Sequence, residues 1–442
     1  MRTNLGSLPQ KESVRLEEYV NSFKYGYVAP ATDSAVPFSV SVAAAPNLFE
    51  RGTVLMRVGI QGKNPPPESK KPANIVFLVD TSGSMQSADK LPLVQQVLSE
   101  TVGILAPTDT ISVVSYAGDT SVRLGPTPVS QAQAITNTIN GLTSAGSTAG
   151  AAGIDLAYQQ AQAGFIPGGI NHVVLCTDGD FNVGPFSTAE LVKLIEEKRK
   201  TGVTLTVLGF GVGNLNDALM ESVSNAGNGI YGVISNPEQA TSYVTQRMLS
   251  TLVHIAKDVK IQVEFNANAV FAYRLLGYEN RAIADANFRN DIIDAGEIGA
   301  GHQVTALYEL VLAGGMLPNV SGAPAAEDGA AHTGAAEVAA SDLALIKLRY
   351  KQPGANETDP ALEVNSSLAA AGVGASYLDL DSDFQWAAAI SAYAEILKQS
   401  PYADKAALAT IESIVMHQGM MGAPDKAEFA RLFGTAKSLM AQ

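Results

Sequence analysis

Three short segments carry residue types that can gather around a hard cation. Asp80, Ser82 and Ser84 lie in DTSGSM, Thr148 lies in the Gly-rich turn AGSTAG, and Asp178 lies in TDGD. Hydroxyl and carboxylate oxygens are hard donors suited to Mg²⁺, Ca²⁺ or Mn²⁺. No Cys/His pair for zinc lies nearby. Two carboxylates and three hydroxyls give the ion few formal charges, so it stays electrophilic and can accept a carboxylate from a partner. Gly83, between the two serines, permits a tight turn. Asp80 and both serines can then converge from one loop.

The elements that must position these residues are continuous apolar runs. IVFLV (75–79) precedes Asp80 and VVLC (173–176) precedes Asp178, with ISVVSY (111–116) and LTVLGF (205–210) of the same kind. Such runs suit strands covered on both faces, as in parallel sheets. Helical stretches alternate with them at 91–105, 149–165, 189–202, 215–226 and 237–253. This alternation predicts a doubly wound α/β domain over 66–255. In such sheets ligands bind at the carboxyl ends of the strands, near the point where strand order reverses.

The flanks read differently. Residues 37–45 and 53–60, and later 258–266, 269–278, 303–312 and 344–350, alternate in apolar character. They predict a β-sandwich, discontinuous over 31–65 and 256–352, into which the α/β domain is inserted. A short amphipathic helix at 12–23 makes residues 1–30 an N-terminal helical arm. Residues 313–340 are small, polar and unpatterned, and are expected to form a flexible loop. Residues 353–442 are expected to form a small helical region, with Asp383 as the cap of its first helix.

The motifs DTSGSM, AGST and TDGD resemble the metal-ion-dependent adhesion site of von Willebrand factor type A (VWA) domains. The match is in order across all five positions. It implies that Asp80, Ser82, Ser84, Thr148 and Asp178 are the metal ligands, the hydroxyls binding directly and the aspartates often through water. VRLEEYVNSFKYGY, GFIPGGINHVVLCTDGDFNVG and HIAKDVKIQVEFN resemble the bacterial YfbK-like subfamily across most of residues 8–442. That subfamily flanks its VWA domain with an N-terminal region and a C-terminal domain of unknown function. The resemblance implies binding rather than catalysis: a metal-dependent adhesion module whose partner is a protein offering a carboxylate. A scaffold or assembly factor with a purely structural metal is the alternative. Family members commonly carry an export or lipoprotein signal upstream, which implies an extracytoplasmic place, in the periplasm or at the cell surface.

Composition narrows the partners. The 442 residues carry a net charge of −14 with no Lys/Arg-rich run, which speaks against nucleic acid. No run reaches the roughly 18 apolar residues of a membrane span. MRTNLGSLPQKESVRLEEY lacks the apolar core of a secretory signal. The one cysteine, Cys176, sits inside an apolar run and reads as a buried free thiol.

Other motifs are weaker. GFGVGN (209–214) lacks the third glycine of a dinucleotide fingerprint and reads as a turn. GLTSAGSTAGAAG has no Lys before Ser or Thr, so it is not a phosphate loop. The acidic segment 285–302 does not fit an EF-hand and reads as solvated rather than calcium-binding. The histidines at 172, 254, 302, 332 and 417 form no HExxH, and no GxSxG elbow is present, so no catalytic set is expected.

Overall fold

The computed structural model describes residues 6–11, 14–49, 52–64, 71–146, 150–179, 187–211, 215–248, 254–277, 298–316, 338–353, 355, 359–421 and 423–440. Thr148 and most of the segments 285–302 and 313–340 lie outside the described residues. The chain divides into two compact units. One is Met1–Asn64, Asp258–Ala295 and Gly301–Gln442; the other is Pro65–Lys257 with Gly296–Ala300.

The first unit begins with helix α1 (Leu16–Asn21) and strands β1 (Phe38–Pro46) and β2 (Val54–Gly62). The second unit then runs through six strands: β3 (Ala73–Asp80), β4 (Thr110–Tyr116), β5 (Thr120–Pro128), β6 (Ile170–Thr177), β7 (Thr204–Phe210) and β8 (Tyr231–Ile234). They form one sheet in the order β5-β4-β3-β6-β7-β8. All neighbours are parallel except β4 and β5. Strand order therefore reverses between β3 and β6, which lie side by side.

Helices cover both faces of this sheet. They are α2 (Leu91–Ile104), α3 (Ala132–Asn140), α4 (Gly150–Ala163), α5 (Thr188–Arg199), α6 (Asp217–Ala226) and α7 (Pro237–Tyr243). The central strand shows why its sequence is apolar without alternation. Ile75, Phe77 and Val79 enter one core with residues of α2, α3 and α7. Val76 and Leu78 enter a second core with residues of α4, α5 and α6. A strand buried on both sides needs apolar residues at every position. Gly153 lets α4 approach closely, since a Cβ there would come 3.1 Å from Leu78 and from Tyr116. The edge strand β5 and helix α3 are absent from the sequence reading. β5 (TSVRLGPTP) is half-exposed and holds two prolines, so it has no apolar run to reveal it.

The remaining strands are β9 (His254–Phe265), β10 (Val270–Leu276), β11 (Ile298–Gly299), β12 (Gln303–Leu312), β13 (Asp342–Lys351) and β14 (Leu362–Ala369). Two four-stranded sheets result, β1-β2-β12-β10 and β11-β9-β13-β14. In the first unit aromatic side chains pack between them. Phe38 of β1 meets the Tyr350 ring of β13 edge-on at 5.3 Å, and Phe265 of β9 packs on Tyr273 at 4.4 Å. β14 corrects the expectation that 353–442 is helical. Half of its residues LEVNSSLA are exposed and one is buried, on a sheet edge, so burial imposes no apolar pattern.

Three helices follow: α8 (Ser382–Leu397), α9 (Leu408–Met421) and α10 (Pro424–Met440). They share one core with the N-terminal residues and the first sheet. Leu16, Val20 and Phe23, Leu55 of β2 and Leu307 of β12 pack with Trp386, Ile390, Phe429 and Phe433. The helix at 382–397 is thus buried on nearly all sides, which explains its run of alanines. Its N-terminal cap is Asp381, whose side chain accepts from the Phe384 amide at 2.7 Å. This corrects the reading of Asp383 as the cap. The helix starts at Ser382, and Asp383 instead accepts from the Gly26 amide.

Candidate metal centre

Asp80 is the last residue of β3, and its side chain is fully buried. Register carries Asp178 to the same end of the sheet, because Val79 pairs with Cys176 and Asp178 follows the end of β6. Both carboxylates therefore stand where strand order reverses, the place at which open α/β sheets bind ligands. Asp178 is also buried.

The DTSGSM loop is fixed from several sides. The Thr81 amide donates to the Tyr116 carbonyl of β4 at 2.9 Å, and the Ala145 amide donates to the Thr81 carbonyl at 2.7 Å. Residues Gly83–Gln86 form one short 3-10 turn, pinned by the fully buried Met85. The Gly83 amide donates to the Gly146 carbonyl at 3.1 Å. Gly146 has φ of +84°, and a Cβ there would come 3.0 Å from the Gly118 amide nitrogen. A glycine is therefore required at the point where the AGSTAG turn braces the motif.

Asp80 is held by neutral donors. The Ser82 amide donates to its Oδ1 at 2.8 Å, and the Thr177 hydroxyl reaches its Oδ2 at 3.4 Å. The Ser82 and Ser84 hydroxyls lie 2.9 Å apart. Ser82 is buried, whereas Ser84 is exposed, so the site opens to solvent on the Ser84 side. Burial raises the Asp80 carboxyl above its ordinary value, the Ser82 bonds oppose this, and the charge of Asp178 raises it further. Burial and the Asp80 charge push the Tyr116 hydroxyl well above its usual value. The two buried carboxylates thus lie close enough to repel each other.

One cation of the chain already reaches the site. The Lys90 ammonium lies 2.8 Å from Asp178 Oδ2 and also donates to the Ser84 carbonyl at 2.9 Å. The sequence reading missed Lys90, as it missed Thr177 and Tyr116. Lys90 lies six residues beyond Ser84 at the start of α2, where a lone lysine carries no motif signal. Thr177, one residue before Asp178, lay within the quoted TDGD and could have been noticed.

The structure thus brings Asp80, Ser82, Ser84 and Asp178 to one sheet end, while Thr148 lies outside the described residues. A polar recess of about 250 Å³ adjoins the loop through Thr81, lined also by Arg123, Thr138 and Thr143. No group of three or more His, Cys, Asp or Glu side chains that could hold a metal occurs among the described residues. The residues brought together are two carboxylates and two hydroxyls. Cys176 is buried and free, and burial pushes its thiol far above the usual value. Among the described residues no helix is long and apolar enough to cross a membrane.

Comparison with known proteins identifies the family of the chain. Residues 74–247 match the model of the von Willebrand factor type A domain, and residues 250–439 match that of the YfbK C-terminal region. Residues 2–57 match a further model described as von Willebrand factor. The chain is 37% identical to the uncharacterized protein YfbK of Escherichia coli (strain K12) over 444 residues, 98% of this chain and 74% of the relative. It is 28% identical to the uncharacterized protein sll0103 of Synechocystis over 188 residues, 42% of this chain and 43% of that relative. Among solved structures, a von Willebrand factor type A protein from Catenulispora acidiphila is similar at a TM-score of 0.47 and 15% identity, covering 89% of this chain and 90% of that one. The ArnB paralog VWA2 from Sulfolobus acidocaldarius is similar at a TM-score of 0.40 and 14% identity, covering 91% and 98%. Domains of the VWA type are in general protein-interaction modules.

Proposed function

The chain belongs to the YfbK-like family of VWA proteins, and from that premise we propose that it is a metal-dependent protein-binding module. Asp80, Ser82, Ser84, Thr148 and Asp178 would hold Mg²⁺, Ca²⁺ or Mn²⁺, and a Glu or Asp of a partner protein completes the shell. The observation that carries this reading is Asp80, a fully buried carboxylate bonded to neutral donors and repelled by Asp178. A buried anion of that kind is costly unless something positive joins it.

When bound, the ion supplies an electrophilic point that attracts an anionic oxygen. The residues do the rest. Asp80 and Asp178 fix the charge, the Ser82 amide orients Asp80, and the serine hydroxyls offer neutral oxygens. No general base is assigned, so the proposed activity is binding rather than catalysis. The proposed place is extracytoplasmic, in the periplasm or at the cell surface.

The test uses the intact chain. Mg²⁺ and Mn²⁺ are titrated calorimetrically into wild type, Asp80→Ala and Ser82→Ala, and capture of host envelope proteins is compared in Mg²⁺ and in EDTA. Metal binding lost in both variants, with capture lost in EDTA, is expected. Capture that persists unchanged in excess EDTA would defeat metal-dependent binding. If EDTA lowers thermal stability but leaves capture intact, the metal is structural and the chain is a scaffold.

A further inference from the structure

We infer that Lys90 is a built-in competitor for the metal, which makes firm metal uptake depend on an anionic ligand. The inference rests on the metal reading above and concerns how that site is regulated.

Lys90 immediately precedes α2, and its ammonium ties together the two loops that carry the carboxylates. It bonds Asp178 Oδ2 at 2.8 Å, on the loop after β6, and the Ser84 carbonyl at 2.9 Å, on the loop after β3. The side chain is only 17% exposed. Its stem lies along Gly211, where a Cβ would come within 2.8 Å of Lys90 Cγ. Gly211 also has φ of +83°, so a glycine both makes the turn after β7 and leaves room for the lysine. The ammonium is thus seated among three loops of the site.

Charge then decides what the seat does. With Asp80 and Asp178 ionised these two carboxylates carry two negative charges and Lys90 returns one, while the Asp89 carboxylate, also beside Gly211, is bonded by the Ser87 hydroxyl. A divalent ion added to that set leaves one net positive charge, which an incoming carboxylate neutralises. The ammonium and the ion would repel each other across the one carboxylate they share, in surroundings where burial weakens screening. Without the lysine the same site would be neutral with metal alone and would gain less from the partner. Lys90 is therefore a positioning and charge-setting residue. It weakens the metal alone and couples metal uptake to carboxylate binding, a reciprocal effect by linkage.

The test measures Mn²⁺ affinity by electron paramagnetic resonance, with and without acetate as the carboxylate probe. Wild type is compared with Lys90→Met, Lys90→Gln, Lys90→Arg and, as a distant control, Lys193→Met. Gln can still bond Asp178 but carries no charge, so it separates tethering from competition and stands in if the Met variant does not fold. Both neutral variants are expected to bind Mn²⁺ about tenfold or more tightly. Acetate should enhance Mn²⁺ binding clearly in wild type and Lys90→Arg, and less in the neutral variants. Lys193→Met should behave as wild type. Neutral variants that bind Mn²⁺ as wild type does, or more weakly, overturn the inference while leaving the metal site standing. If no protein of the set binds Mn²⁺, the metal reading itself fails and the inference falls with it.

Discussion

Two sets of buried carboxylates in this chain are treated in opposite ways. In the first unit Glu309 and Glu395 share Arg274, whose guanidinium bonds them at 2.7 Å and 2.9 Å. Glu309 also accepts from Thr53 and Asn47, at 2.7 Å and 3.0 Å. Arg274 is further packed over the Tyr402 ring. In the second unit Asp80 and Asp178 are equally buried. Lys90 pairs with Asp178, and Asp80 is held by the Ser82 amide and the Thr177 hydroxyl. The first arrangement is closed, with planar guanidinium geometry and satisfied lone pairs. The second sets two carboxylates against one lysine and neutral donors. This contrast is what the proposed metal site rests on.

Removing the matched cation should have the largest effect. Arg274→Met strands two buried glutamates, and the loss of one partner of a buried pair costs about 3–5 kcal/mol. Chemical denaturation of the intact chain reads this. A loss below about 1 kcal/mol would mean that water or rearrangement relieves the glutamates, and the contrast between the two units would weaken.

At the second set the sign should reverse. The Asp80 carboxyl is raised by burial, so the stability it lends is complete below the unfolded carboxyl value and is lost as pH rises through the folded one. In metal-free buffer, the Asp80 contribution should therefore fall on going from acid to neutral pH. Asp80→Asn keeps an oxygen for the Ser82 amide but cannot ionise. It should melt above wild type at neutral pH, and the gap should close in acid. Mg²⁺ should raise the melting temperature of wild type only. A variant that melts below wild type at neutral pH without metal would mean that the ionised carboxylate is already well satisfied.

Part of this contrast was legible in the sequence and part was not. The apolar runs ending in Asp80 and Asp178 exposed the doubly wound sheet, because strands buried on both faces leave no other pattern. The same runs placed two site carboxylates at strand ends. Lys90 was not legible, since its seat depends on Gly211 and the β6 loop, which meet it only in three dimensions. Arg274, Glu309 and Glu395 were equally hidden, because charged residues on alternating strands, and one on a helix, read as solvent-facing until strand and helix pack together. β14 was missed for the opposite reason, as an exposed edge needs no pattern at all.

The pair of exposed Asp381 with buried Arg57 gives the smallest and most diagnostic contrast. Burial alone would raise the Asp381 carboxyl, but bonds from Arg57 and the amides of Phe384 and Asp383 hold it below its ordinary value. Its contribution is present above the unfolded carboxyl value and is lost as pH falls through the folded one. Asp381 is also the cap of α8, and its side chain is 54% exposed. Asp381→Ala removes both roles and should cost about 1 kcal/mol from the cap. Asp381→Asn keeps the cap, since an asparagine oxygen still accepts from the Phe384 amide, and loses the charge of the Arg57 bridge together with one of its two bonds. Thermal melts from neutral to acid pH should show Asp381→Asn slightly below wild type at neutral pH and converging with it in acid. Asp80→Asn should lie above wild type over the same range before it too converges. Opposite signs from two Asp→Asn changes in one chain would separate a carboxylate the fold has neutralised from one it has left for a ligand. The same sign from both would mean that burial, and not partnership, governs each.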